Sequence, residues 1–222
     1  MKNLVVVNNT ANWKLDLPGM EVISAGNYLT DGRFTDMRKV RVFNLCRSYK
    51  YQSSGYYVSL LAEARGHRPL PGVMAILDIK SQAIVRLVSD ELDEIIQKAF
   101  KSIVADKFTL SIYFGKNMAR RYDRLASLLF YQFQTPMLRA HFSKIDSLWN
   151  LQSIAPIASS EVPAGHKPFV QEVARAYFEG RKPFRIKKEK TRFDLAILRD
   201  PKEAFPPSDE RAILKFIKAA EK

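Results

Sequence analysis

Residues 39–66, KVRVFNLCRSYKYQSSGYYVSLLAEARG, decide the fold class. Lys39 to Cys46 alternates at first and then turns apolar, the pattern of a strand that enters a core. Gly55 to Arg65 carries apolar residues at helical spacing, with Tyr57, Leu60, Leu61 and Ala64 as the expected inner face. Gly66 follows where a left-handed helix stop would sit. A polar segment joins the two, and His67 to Gly72 is expected to be a loop. Upstream, Lys2 to Asn8 (KNLVVVN) is a short β-branched run closed by Asn8-Asn9, and Glu21 to Ala25 (EVISA) is a second strand. Leu17-Pro18-Gly19 and Thr30-Asp31-Gly32 are turns. Three strands and a helix within about 65 residues predict an α/β layer with a parallel-type sheet and helices packed on it.

The pattern then changes. From Ser81 to Val104 the apolar positions cover one broad helical face, and Ser89 with Asp90, Glu91, Asp93 and Glu94 predicts a break and a new helix start. Phe108 to Phe114 alternates, with Phe108, Leu110, Ile112 and Phe114 on one side. Residues 118–133 have a helical pattern, with Tyr122, Leu125, Leu128, Leu129 and Phe133 inward. Residues 137–145 and 149–157 alternate around Asp146-Ser147, an antiparallel hairpin. Pro168 to Glu179 is a helix closed by Gly180. The expected division is a first domain over 1–180, a linker over 181–192, and a βα unit over 193–222 that starts a second, incomplete domain; the alternative is that strand 193–198 joins the first sheet. In that unit, 193–198 is a strand, Ser208 is a helix cap, and Ile213, Phe216, Ile217 and Ala220 share a face.

Composition bounds the function. The 222 residues are 46% apolar and 27% charged, ordinary globular values that exclude a disordered chain. The longest apolar runs fall far short of the roughly 20 residues a membrane helix needs, and the opening residues do not read as a secretory leader. A single cysteine, Cys46, can make neither an internal disulfide nor a thiolate zinc cage. The expected compartment is the reducing cytoplasm. The net charge is +13, and nearly half of it lies in 181–192 (RKPFRIKKEKTR), with seven basic side chains and one acidic. That run has two readings, a phosphate-binding arm or a self-repelling linker. The linker is preferred, because aromatics for base stacking are nearly absent from it.

No phosphate-binding P-loop, dinucleotide fingerprint or nucleophile elbow occurs. The three histidines have no metal-ligand spacing. Cys46, at the end of a buried strand, reads as a small core residue before it reads as a nucleophile. Two groups remain. The first follows the third strand: Asn44, Arg47, Tyr49, Gln52, Ser53 and Gly55. Ligands of open α/β sheets bind beyond the carboxyl ends of strands, and a helix start there offers free N–H groups to an anion. The alternative is a loop whose serines merely cap the helix. The second group is Lys116 with Arg120 and Arg121, beside Asn117, Asp123 and Arg124. Arginines at a helix start oppose its dipole unless an anion neutralises them.

Around these residues the chain resembles a known family. RVFNLCRSYKYQSSGYYVSLLAEARGH (41–67), FTLSIYFGKN (108–117) with ARRYDRL (119–125), and LWNLQSIAPI (148–157) are similar to the RimK-like ATP-grasp N-terminal domain, RLAN. In that family the domain precedes a RimK-type ATP-grasp module, and 192–222 resembles the start of that module, where a small α/β pre-grasp subdomain begins. The resemblance implies a parent ligase that uses ATP and magnesium to turn a carboxylate into an acyl phosphate. An amine, typically of an amino acid such as glutamate, then attacks it to form an amide. The nucleotide and metal residues of such enzymes lie in the grasp module, so no ATP or magnesium ligand is carried onto this chain, and it is expected not to be catalytic alone. The implied partners are that module in cis and an anionic amino-acid or peptide substrate. A basic nucleic-acid-binding domain is the alternative, from the charge.

Overall fold

A computed structural model describes residues 2–13, 15, 20–180 and 210–220. The chain divides into two compact units, 1–184 and 185–222.

The first unit is built on two sheets. β1 (Lys2–Val7), β2 (Glu21–Ser24), β3 (Val40–Asn44) and β4 (Arg68–Leu70) form a parallel sheet in the order β2-β1-β3-β4. β5 (Lys107–Tyr113), β6 (Met137–Ile145) and β7 (Leu148–Pro156) form an antiparallel one. The fold is the mixed α/β arrangement expected from the strand patterns. The β6–β7 turn places Asp146 and Ser147 at φ 50° and 68°, the left-handed pair that a two-residue hairpin demands.

The parallel sheet is covered on both faces, which is why β1 is an unbroken apolar run and not an alternation. Leu4 and Val6 face one layer, with Val40, Val42, Tyr28, Val58, Ala62 and Ile76. Val5 and Val7 face another, with Phe43, Leu45, Tyr113, Phe114, Val170 and Ala174. The antiparallel sheet has its own core, centred on Phe100, Leu110, Ile112, Leu129, Phe133 and Leu138.

Several expectations need correction. A short helix, α1 (Ala25–Thr30), follows β2 directly, with Ser24 Oγ accepting from the Asn27 N–H at 3.1 Å. Its Gly and Asn are poor helix formers, so only the cap announces it. α2 (Ser54–Ala64) lies where expected but buries the opposite face: Gly55, Val58, Ser59 and Ala62 pack inward, while Tyr57 and Leu60 are 41% and 42% exposed. Small residues let the helix approach the sheet closely, and size outweighs hydrophobicity at that contact. The expected loop at 67–72 contains β4; Pro69 is tolerated because β4 is an edge strand.

α3 (Val73–Lys80) was not expected either. Its start is capped by a side chain from another helix, Glu63 Oε1 accepting the Val73 N–H at 2.8 Å, a signal invisible in local sequence. α4 (Gln82–Glu91) and α5 (Asp93–Phe100) meet at Leu92, not at Ser89. Ser89 is buried inside α4, where its Oγ accepts from the Leu151 N–H at 3.0 Å. Phe114 has φ 48° and leaves the strand, so it packs with Tyr113 and not with Leu110 and Ile112.

α6 (Asp123–Phe133) is entered through a 3-10 turn at Arg120–Tyr122. Leu125, Leu129 and Phe133 are buried as expected, and Leu128 only partly. α7 (Lys167–Phe178) ends at Gly180, φ 87°.

In the second unit α8 (Glu210–Ala220) is described, an amphipathic helix with Leu214, Phe216 and Ile217 exposed and Ile213 partly buried. The expected linker at 181–192, the strand at 193–198 and the Ser208 cap lie outside the described residues.

Candidate functional site

The order β2-β1-β3-β4 has one topological consequence. After β1 the chain leaves toward β2, and after β3 it leaves toward β4, so the carboxyl ends of β1 and β3 open a crevice between diverging connections. A cleft of about 140 Å³ lies there, lined by Val7, Asn8, Asn9, Leu45, Arg47, Ala158, Ser159 and Ser160. Its polar lining combines Arg47, two asparagines and two serines, with no carboxylate among the described residues that line it. That is a donor-rich site for a small anion such as a carboxylate.

The loop behind the cleft is rigid by construction. Asn44, at the end of β3, is fully buried; its Nδ2 donates to the Gly55 carbonyl at 2.7 Å and to Ser59 Oγ at 2.9 Å, and its Oδ1 accepts from the Cys46 N–H at 3.2 Å. The Tyr49 hydroxyl donates to the Asn44 carbonyl at 2.5 Å. Ser53 caps α2 through the Tyr56 N–H and donates to the Ser48 carbonyl at 2.9 Å. Gly55 fits because a Cβ there would meet the Ser48 carbonyl, with Cys46 Cβ at 2.8 Å and Tyr49 Cδ1 at 3.0 Å. Gln52 turns the chain at φ 64° and is exposed.

The first expected group therefore divides by role. Asn44, Tyr49, Ser53 and Gly55 hold the loop shape, with their polar atoms engaged inside the protein. Arg47 lines the cleft, and its backbone N–H donates to Asn8 Oδ1 at 2.6 Å. Asn8 also donates to Ser54 Oγ at 3.0 Å. Asn8, Asn9, Ser159 and Ser160 were missed. The Asn pair was readable, since the rule about strand ends applies to β1 as well as to β3. The serines follow β7, more than a hundred residues from Arg47, and only the tertiary fold brings them there.

The second group also divides. Lys116 Nζ pairs with Asp123 Oδ2 at 3.0 Å, and Asp123 Oδ1 accepts the Asn117 N–H at 3.1 Å, which closes the turn after β5. Lys116 and Arg120 line one cleft of about 390 Å³ beside α7. Arg121 and Arg124 line a different one, of about 820 Å³, beside α5.

Cys46 is 1% exposed, and burial pushes its thiol up to about 12, so it is an inert core residue at neutral pH. His67 is buried between the Tyr28 hydroxyl (2.8 Å from Nδ1) and the Met37 carbonyl (3.2 Å from Nε2), and burial lowers its pKa. His141 pairs across β5–β6 with Thr109, 3.1 Å from its hydroxyl. Among the described residues no group of three or more His, Cys, Asp or Glu side chains is placed to hold a metal ion. No helix among the described residues is long and apolar enough to cross a membrane.

The first unit thus joins a parallel α/β sheet, open at its switch point, to an antiparallel sheet. The chain belongs to the RimK-like ATP-grasp N-terminal domain family, whose profile matches residues 25–173. Among solved structures it is similar to a D-alanine–D-alanine ligase from Bacillus anthracis complexed with ATP, at 11% identity and a TM-score of 0.44, over 84% of this chain and all of that one. None of the curated proteins matches it.

Proposed function

We propose that this chain is the accessory N-terminal domain of a RimK-type ATP-dependent carboxylate–amine ligase. It positions an anionic amino-acid or peptide substrate for an ATP-grasp module in cis and does not form the amide bond itself. ATP and magnesium belong to that module. Membership of the family supports the association with ATP-grasp ligases. The observation that carries the substrate role is the cleft at the β1 and β3 carboxyl ends, where Arg47 stands among Asn8, Asn9, Ser159 and Ser160 with no acidic side chain among the described residues that line it. An unopposed guanidinium among neutral donors selects a carboxylate by charge and by its two-pronged geometry. Arg120 and Lys116 line a second cleft, but Lys116 is paired with Asp123 and Glu172 also lines it, so it suits an anion less than the first. The buried, reduced Cys46 suits a cytoplasmic protein.

The test is a titration of the isotope-labelled chain with glutamate, followed by amide chemical shifts. Saturable shifts clustered at Asn8, Arg47, Ser159 and Ser160, abolished by Arg47→Ala, are the expected result. Absence of saturable shifts at millimolar glutamate, or shifts confined to other surfaces, would overturn the substrate role.

A further inference from the structure

The fold brings together two pairs of cations that lie far apart along the chain. Lys98 and Lys101 stand at the carboxyl end of α5; Arg121 and Arg124 stand at the entry to α6. The four line one cleft of about 820 Å³ with Glu94, Ile95, Ala99, Ser102 and Leu125. Each pair is spaced i, i+3, one helical turn, so each presents two charges along one wall. All four cations are exposed, and none is paired with a carboxylate among the described residues.

The lysines have a local explanation, since cations complement the carboxyl end of a helix. The arginines have none, because they sit at the amino end of α6, where the dipole is already positive. Asp123, the acid closest in sequence, is taken by Lys116 on the other side of the turn. Arg121 is also held in place: its guanidinium lies 4.8 Å from the centroid of the Tyr122 ring, and Tyr122 is itself buried against Phe100 and Phe108. The four cations outnumber the one carboxylate lining the cleft, Glu94, and an anion that neutralises the excess relieves the repulsion among them.

The floor decides which anion. Ile95 and Ala99 are partly buried and Leu125 is buried, so the base of the cleft is aliphatic, with Ser102 as its single hydroxyl. An acidic peptide laid on it would leave backbone N–H and C=O groups against an apolar surface, which is costly. A nucleobase can lay its π-face on that aliphatic floor with its polar edge left in water, while its phosphates reach the cationic walls; with no ring among the described residues lining the cleft, the phosphate contacts carry the affinity. We propose that this cleft binds single-stranded nucleic acid, with phosphates on Lys98, Lys101, Arg121 and Arg124 and bases over Ile95, Ala99 and Leu125. The net charge of +13 steers such a polyanion toward the molecule. The proposal is independent of the substrate role of Arg47.

The experiment is fluorescence anisotropy of a labelled oligouridylate with the full chain, across a salt series. Arg121→Glu with Arg124→Glu is compared with Arg68→Glu and Arg86→Glu, two exposed arginines outside the cleft that change the net charge equally. The cleft variant is expected to bind about tenfold more weakly, with the log–log salt slope reduced by about 1.4, the single-strand value for two lost phosphate contacts. The control pair keeps the wild-type slope. Arg121→Gln with Arg124→Gln gives the same direction without a reversed charge, and unchanged circular dichroism confirms the fold of each variant. No binding by the wild type at low salt overturns the proposal. So does equal weakening by the control pair, or displacement by polyglutamate as effective as by unlabelled oligouridylate.

Discussion

The backbone N–H of Arg47 donates to Asn8 Oδ1 at 2.6 Å. One side chain thereby joins the carboxyl ends of β1 and β3, the two strands whose connections diverge. The same Asn8 reaches Ser54 Oγ at the start of α2. The crevice is thus framed by a tether between strand ends that are 39 residues apart, and the cleft shape depends on it.

Asn8→Ala removes both bonds. Because Asn8 is exposed, the cost to stability is small, about 1 kcal/mol in urea unfolding. The local effect is larger: amide hydrogen exchange of Arg47 is expected to accelerate more than that of core amides in β3. Unchanged exchange at Arg47 would show that the tether does not hold the loop.

Gly55→Ala places a methyl group against the Ser48 carbonyl and between Cys46 and Tyr49. Backbone cannot move aside as a flexible side chain can, so α2 must shift away from the 46–49 loop. A destabilisation of about 1–3 kcal/mol is expected, together with weaker ligand binding at Arg47. A variant as stable as the wild type would refute the close approach of α2.

How much of this was legible depends on where each signal resides. β1, β3, the β6–β7 hairpin and α7 announced themselves because their hydrophobic periods, turns and glycine stops are local. α3 did not, since its cap is Glu63 from another helix. The inward face of α2 was misread because Tyr57 and Leu60 are more apolar than Gly55 and Ser59, yet Gly55, Val58, Ser59 and Ala62 are the residues that face inward. In the cleft, Arg47 was readable from its place after a strand. Ser159 and Ser160 were not, because their proximity is set by the packing of β7. Asn44 and Tyr49 carried the polarity of a binding site and use it to shape the loop.

Cys46 gives an alkaline test. Its folded pKa is raised to about 12 from an ordinary 9.0, so above pH 9 the unfolded chain releases a proton that the folded chain retains. Stability therefore falls as pH rises from about 9 toward 12, by up to about 1.4 kcal/mol per pH unit from this group. Cys46→Ala is expected to show a shallower decline in urea unfolding over that window, and in the wild type a thiol reagent at pH 8 should react only as the protein unfolds. Equal slopes, or rapid labelling of the native chain, would contradict the burial argument.

His67 gives the acid counterpart. Burial lowers its pKa from 6.5, so the folded chain keeps the ring neutral while the unfolded chain protonates. Its contribution is fully present above pH 6.5 and is lost as pH falls below that value toward the folded pKa. His67→Gln is expected to lower stability at pH 7, by loss of the Tyr28 and Met37 contacts, and to flatten the acid decline. An acid limb of unchanged slope would show that His67 does not drive it.

The central proposal is that the amide-forming centre lies outside this chain. The direct measurement is incubation of the purified 222-residue protein with ATP, magnesium and a set of amino acids, while phosphate release and amide products are followed. The account predicts neither. Sustained phosphate release coupled to a new amide product, lost on addition of a chelator, would contradict it.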